Sequence, residues 1–151
     1  MYFDIGRDTG TLARKSLFYD TGDFAFYVSP VADNFSSVLV NDINLEIDPN
    51  GVVISIWGLC PYMNWIDAVL GSPQAGAGEV RFVGDSPITR GVSIRLNRER
   101  WPTYVDRSNG WIYIAGTAKP TQVVAIMTGV IIELDEQRNL CGIWLKPAQL
   151  P

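Results

Sequence analysis

The stretch Leu45-Glu46-Ile47-Asp48-Pro49-Asn50-Gly51, continuing through Val52-Val53-Ile54-Ser55-Ile56-Trp57, decides how this chain is read. From Asn44 to Asp48 polar and apolar residues alternate, the period of a half-buried strand. Leu45 and Ile47 then take the core and Glu46 and Asp48 face water, because residues two apart on a strand share a face. Pro49-Asn50-Gly51 reads as a hairpin turn, since Asn-Gly adopts positive φ at little cost. Residues 52–58 return with apolar side chains on both faces, which predicts a central, doubly covered strand with Trp57 as a core plug.

The same stretch recurs. Slid along itself by 87 positions, the chain places Leu45-Glu46-Ile47-Asp48 on Ile132-Glu133-Leu134-Asp135, Val53 on Leu140, Ile56 on Ile143 and Trp57 on Trp144. At that offset Phe24-Ala25-Phe26-Tyr27 falls on Trp111-Ile112-Tyr113-Ile114, and Val38-Leu39 on Ala125-Ile126. Cys141 takes the place of Ile54 and reads as a small core residue. This argues for a duplicated strand unit, residues 17–60 and 103–147, and two units are too few for an open solenoid. The expected arrangement is a mainly β (α+β) single domain over residues 1–151, with two similar antiparallel strand units about a pseudo-twofold axis. In the insert, residues 61–102, a short helix is expected over 62–70 after Pro61, then a loop over 72–78. A strand pair over 79–83 and 92–96 follows, turning at 84–87.

Composition bounds the chemistry. Of 151 residues, 47% are hydrophobic and 19% charged, enough apolar material for a core and too little charge for disorder. The net charge is −4, the wrong sign for a general nucleic-acid binder. There is no histidine, the commonest general base and metal ligand. The two cysteines, Cys60 and Cys141, form no C-x-x-C pair and read as reduced core thiols. No nucleophile elbow or phosphate-binding Gly-Lys loop is present. No catalytic residue, metal ligand or cofactor is therefore assigned. The N-terminus lacks an apolar signal region, no apolar run reaches a membrane span, and a cytoplasmic location is expected.

The first unit contains Tyr19-Asp20, Asp23, Tyr27, Ile47-Asp48-Pro49-Asn50-Gly51 and Ser55-Ile56; the second contains Tyr104-Val105-Asp106, Tyr113, Leu134-Asp135 and Gly142-Ile143. This pattern resembles a small bacterial domain of unknown function built on a Tyr-Asp start, an Asp-x-x-x-Tyr strand and an Asp-x-x-Gly hairpin ending in Gly-Ile. Ser55 stands where that pattern has Gly, Trp57 and Trp144 stand where an acid usually follows the Ile, and the second unit lacks the hairpin Gly. The resemblance brings no catalytic residues. In size, acidity and β-richness the chain is also similar to immunity proteins of bacterial toxin systems, including contact-dependent growth inhibition. That likeness implies a protein partner, a cognate toxin domain.

Charge distribution supports the same direction. Residues 1–76 carry −6 and residues 77–151 carry +2. An acidic face suits a basic partner such as a nuclease, which must hold phosphates. The residues expected to bind it are Asp20, Asp23, Asp33, Asp42, Glu46 and Asp48, with Trp65 as an exposed anchor. The basic cluster Arg90, Arg95, Arg98 and Arg100 reads as a solvated strand end, with no nucleic-acid and no membrane role. Two alternatives remain at this level. One is a structural or homodimeric β module pairing through strand edges. The other is a carboxylate-dependent hydrolase using Glu46 or Glu133, which needs two acids facing one cavity.

Overall fold

In the computed structural model, which describes residues 1–151, the chain forms fifteen strands and no α-helix. β1 (Tyr2–Gly6) opens the chain, and the first unit follows as β2 (Ser16–Asp20), β3 (Ala25–Ser29), β4 (Ser36–Val40), β5 (Ile43–Ile47) and β6 (Val53–Leu59). The insert holds a 3₁₀ turn (Tyr62–Asn64), β7 (Ile66–Asp67), β8 (Gly76–Ala77), β9 (Glu79–Val83) and β10 (Ser93–Arg95). The second unit is β11 (Thr103–Asp106), β12 (Trp111–Ala115), β13 (Gln122–Met127), β14 (Val130–Leu134) and β15 (Leu140–Leu145).

The duplication governs the topology. One sheet has the order β10-β4-β5-β6-β3-β2 and the other, read from the matching edge, β8-β13-β14-β15-β12-β11-β7. Over six strands the order is the same, down to a parallel edge strand lent by the insert to β4 and to β13, while β7 adds a seventh strand without a counterpart in the first sheet. Glu46 pairs with Ser55 and Leu45 with Ile56; Glu133 pairs with Gly142 and Ile132 with Ile143. Both hairpins slip register at the next pair, leaving Ile54 and Cys141 as equivalent bulge residues. The turns match atom for atom. The Asp48 carboxylate accepts the Asn50 and Val52 amides at 2.8 and 3.0 Å, and Asp135 accepts those of Gln137 and Asn139, both at 2.9 Å. Where the first turn has Gly51 at φ 87°, the second has Arg138 at φ 63°, so the missing hairpin glycine is replaced by a residue held in the left-handed region.

The first hairpin repeats one residue short of the expected offset. Phe18 pairs with Tyr27 as Tyr104 pairs with Tyr113, and Phe24 and Gly110 are the positive-φ residues, which puts Asp20 over Asp106 and Phe26 over Ile112 at an offset of 86. Ala25-Phe26-Tyr27-Val28, not the stretch beginning at Phe24, therefore matches Trp111-Ile112-Tyr113-Ile114. Val38 likewise matches Val124. A bulge between Ala125 and Met127 in β13 absorbs the extra residue and restores the offset of 87.

The insert departs from expectation in two ways. The helix over 62–70 shortens to the 3₁₀ turn, because Ile66 and Asp67 find hydrogen-bond partners in parallel with Tyr104 and Val105. The two inserted strands form but do not pair with each other: β9 pairs with β1, and β10 joins β4. The β1–β9 ribbon brings Phe3 and Phe82 into the core, their rings edge-on at 5.4 Å. It also links the two equivalent turns, since the Phe82 amide donates to Gly51 O at 2.8 Å and the Phe3 amide to Arg138 O at 2.9 Å.

Both sheets and the ribbon feed one cluster of 27 buried residues, among them Phe26, Ile43, Leu45, Ile56, Ile112, Ile114, Ile132 and Ile143. Each large side chain buried there contributes about 1.5–3 kcal/mol. Cys60 and Cys141 are free and buried. No helix is long and apolar enough to cross a membrane.

Candidate functional site

Strand alternation decides what the outer face of the first sheet carries. Ile56 takes the core, so its neighbour Trp57 must face outward, and it is 52% exposed. The expected core plug is instead a surface indole. Register aligns Trp57 with Asn44, Leu39 and Arg95 in one row across the sheet, and Ser55 with Glu46, Ser37 and Ser93 in the next. Phe18 stacks on Tyr27 at 5.4 Å beside the first row. The polar row is wired together: Ser37 Oγ donates to Asn44 Oδ1 at 3.0 Å and lies 2.7 Å from Ser93 Oγ, and Asn44 Nδ2 donates to Trp57 O at 3.2 Å.

Of these residues Trp57, Asn44, Glu46, Ser37 and Ser93 line an open cleft of about 400 Å³, whose wall also includes Phe35 and Arg90. The Arg90 guanidinium sits 4.7 Å above the Phe35 ring. Burial raises the Glu46 carboxyl above its ordinary value, partly offset by a hydrogen bond with Ser55 and by the charge of Lys15. Glu46 is the one acid lining the cleft, so the paired carboxylates of the hydrolase reading do not face each other there.

The second sheet carries the same positions in closed form. Tyr113, equivalent to Tyr27, stacks on Trp144 at 4.2 Å, and Trp111 meets Trp144 edge-on at 6.1 Å. The Tyr113 hydroxyl donates to Glu133 Oε1 at 2.5 Å. Glu133, expected to face water, is only 6% exposed because these rings and Ile131 crowd it. Gly142 makes the pair possible, since a Cβ there would collide with the Glu133 carboxylate and lie 2.8 Å from Tyr113 Cε1. The first sheet has Ser55 in that place, Asn44 where the second has Ile131, and Ser37 where it has Val123. Burial and the Glu133 carboxylate hold the Tyr113 hydroxyl well above its ordinary value. Burial, then the Glu133 and Asp135 charges, push the Cys141 thiol up to about 12, which leaves it an inert core group. Trp144 is 8% exposed and its Nε1 is buried without a partner.

The six acids assigned to a partner do not form one patch. Asp20 and Asp23 lie on the β2–β3 turn and Asp42 on the β4–β5 turn, at the same end of the first sheet. Asp33 precedes β4 and Asp48 follows β5 at the opposite end, and Glu46 lies on the outer face between them. Asp42 pairs with Arg100 at 2.9 Å. Asp20 Oδ1 accepts the Gly22 and Asp23 amides at 2.8 and 3.1 Å, so, like Asp48, it fixes its own turn.

Trp65 is not a surface anchor. It is 8% exposed, with its ring 5.1 Å from Tyr19 and 6.0 Å from Phe26, and its Nε1 donates to Cys60 Sγ at 3.3 Å. The 3₁₀ turn folds it back against the end of the sheet. On the first sheet the exposed apolar residues are instead Tyr27, Trp57 and Leu59, with Met63 and Ile66 just beyond its end. The Ile56-Trp57 adjacency was the signal for this, since only one of two neighbours on a strand faces inward. No group of three or more His, Cys, Asp and Glu side chains is gathered to hold a metal ion.

Comparison of the chain with known protein families and with curated proteins finds no match.

Proposed function

We propose that the protein is a non-enzymatic protein-binding module and, within that class, an immunity protein that neutralises a basic bacterial toxin by covering its active site. One observation carries the reading: the exposed strip Tyr27, Trp57 and Leu59 on the first sheet ends among Asp20, Asp23 and Asp42. Aromatic and aliphatic anchors inside a charged rim are how protein interfaces are built. A nuclease active site is positive because it holds phosphates, so acids at the rim speed docking and can stand in for the displaced phosphates. Trp57 takes the anchor role that the sequence alone assigns to Trp65.

A second copy pairing along a sheet edge has less to offer. In the two large sheets, three of the four edges are β7, β8 and β10, which are two, two and three residues long, and short edge strands discourage such pairing.

The test is to read the gene beside this one and, where it encodes a secreted protein with a C-terminal toxin domain, to co-express that domain with this chain and run calorimetry on the purified pair; a neighbouring gene of any other kind would count against the immunity reading. The expected result is a one-to-one complex that Asp20→Lys with Asp23→Lys weakens about tenfold or more, and whose association slows with salt. A complex unaffected by that double reversal and by Leu59→Asp would overturn the proposed face. Absence of any complex would overturn the immunity reading.

A further inference from the structure

The cleft beside Trp57 has a chemistry that protein docking does not require. We propose that it is a binding site for a neutral saccharide, held by stacking on Trp57 and by hydrogen bonds to Glu46, Ser93 and Arg90. The inference goes beyond the protein-binding reading and stands without it.

Four observations converge. First, the cleft is concave and about 400 Å³ in volume, within the range of about 300–1,000 Å³ typical of small-ligand sites. Second, its edge is an indole 52% exposed, although the sheet offers a closed alternative: the equivalent Trp144 is 8% exposed. A sugar ring presents C–H groups on its faces, and these can cover an indole, while its hydroxyls stay free to bond sideways. Third, the polar groups beside the indole supply donors and acceptors together. The Glu46 carboxylate accepts, the Arg90 guanidinium donates, and Ser93 Oγ, whose proton goes to Ser37 because that of Ser37 goes to Asn44, accepts as well. Hydroxyl groups of a saccharide donate and accept in turn, so they match such a mixed set.

Charge then selects among ligands. Glu46 and Arg90 line the same cleft with opposite signs and without an ion pair between them. A cation would be drawn to one and repelled by the other, and so would an anion. A neutral polyhydroxyl compound can use both.

The fourth observation is the internal duplicate. In the second sheet the same scaffold closes, with Ile131 for Asn44, Val123 for Ser37, Gly142 for Ser55, and the Tyr113 hydroxyl on Glu133. Only the first sheet leaves its glutamate, its indole and its hydroxyl row open. The raised carboxyl of Glu46 reflects the cost of that arrangement.

The experiment is a titration of the full chain with neutral oligosaccharides of glucose (α- and β-linked) and of N-acetylglucosamine. Trp57 is read by intrinsic fluorescence and by its indole N–H resonance. An anionic heparin fragment and the cation spermidine serve as charge controls. At least one neutral saccharide is expected to saturate the signal with a Kd of about 1 mM or tighter, and neither charged probe to bind more tightly. Trp57→Ala should abolish binding, and Glu46→Gln and Ser93→Ala should each weaken it about three- to tenfold, the loss of about one hydrogen bond. All three positions lie on the outer face, and an unchanged urea midpoint in Ser93→Ala separates loss of binding from loss of fold. Asp20→Lys with Asp23→Lys should leave the saccharide signal untouched, so this test and the toxin test fail separately. The proposal is overturned if no neutral saccharide binds, if a charged probe binds better, or if Trp57→Ala binds as wild type.

Discussion

Replacing Gly142 by Ser would import into the second sheet the residue that its counterpart, Ser55, carries in the first. The backbone does not forbid it, because Gly142 is not among the positive-φ glycines. The cost arises from contact alone. A Cβ at 142 would strike the Glu133 carboxylate and crowd Tyr113, with the Tyr113 hydroxyl 2.9 Å away. Two terms follow: loss of the Tyr113–Glu133 hydrogen bond, about 1.5–3 kcal/mol for a bond to a charged group, and overpacking, about 1–3 kcal/mol. Gly142→Ser should therefore destabilise the fold by about 2.5–6 kcal/mol, a large share of the total of about 5–15 kcal/mol expected for such a domain. Tyr113→Phe alone should cost only the first term. Combined, the two should cost about 1–2 kcal/mol less than their sum, because the hydroxyl of Ser at 142 can then serve Glu133 as Ser55 serves Glu46. Urea unfolding followed by tryptophan fluorescence measures all three, with a constant m-value as the check on two-state behaviour. A cost below about 0.5 kcal/mol for Gly142→Ser, or strict additivity in the double variant, would refute the account of the closed face.

Other outcomes follow from the same geometry. Asp106 accepts hydrogen bonds from Ser108 Oγ at 2.6 Å and from the Leu70 amide at 2.9 Å, with the serine contribution the larger, and these hold its carboxyl below the usual range. Its stabilising effect is full above the unfolded carboxylate value of about 3.9 and is lost as pH falls through the folded value. Asp106→Asn should thus lower the urea midpoint at pH 7 and converge with wild type in acid. Glu46 behaves oppositely: its raised carboxyl favours the fold below the unfolded value and loses that effect as pH rises, so Glu46→Gln should raise the midpoint at pH 7 but not near pH 3. Trp65→Ala should cost about 3–5 kcal/mol and lower the melting temperature, without changing the surface that carries Trp57 and Leu59. Gly51→Ala should cost about 2 kcal/mol or more, since φ 87° is strained for alanine and the methyl would meet Phe82 O.

What could be read from the chain, and what could not, divides along physical lines. The β5–β6 and β14–β15 hairpins were legible because Glu-x-Asp and Trp recur at a fixed spacing, and the two turns and their bulges then superpose without a gap. The first hairpin was misplaced by one residue because the bulge in β13 adds a residue that a gap-free comparison does not detect. The expected helix after Pro61 failed because pairing with β11 outweighs local preference. Glu133 was assigned to water by strand alternation, which says which face a side chain takes but not what covers that face. Trp57 and Trp65 change places for the complementary reason: a strand position predicts burial and a loop position predicts exposure, and neither rule includes what packs against the residue. The acids of the first half were identified as charge, but three of them, Asp20, Asp42 and Asp48, are already engaged in turns or an ion pair.

The insert has a further consequence for how the chain is made. β7 and β8 pair with β11 and β13, which are translated later, whereas β10 pairs with β4, which is translated earlier. On the ribosome the first sheet's own hairpins can close as they emerge. Residues 66–77 must wait, with their backbone donors satisfied by water, until the C-terminal half arrives to receive them. Synthesis of the residues between β8 and the end of β13, about fifty (~2.5–10 s at about 5–20 residues/s), thus sets the earliest moment at which β8 can be laced to its partner.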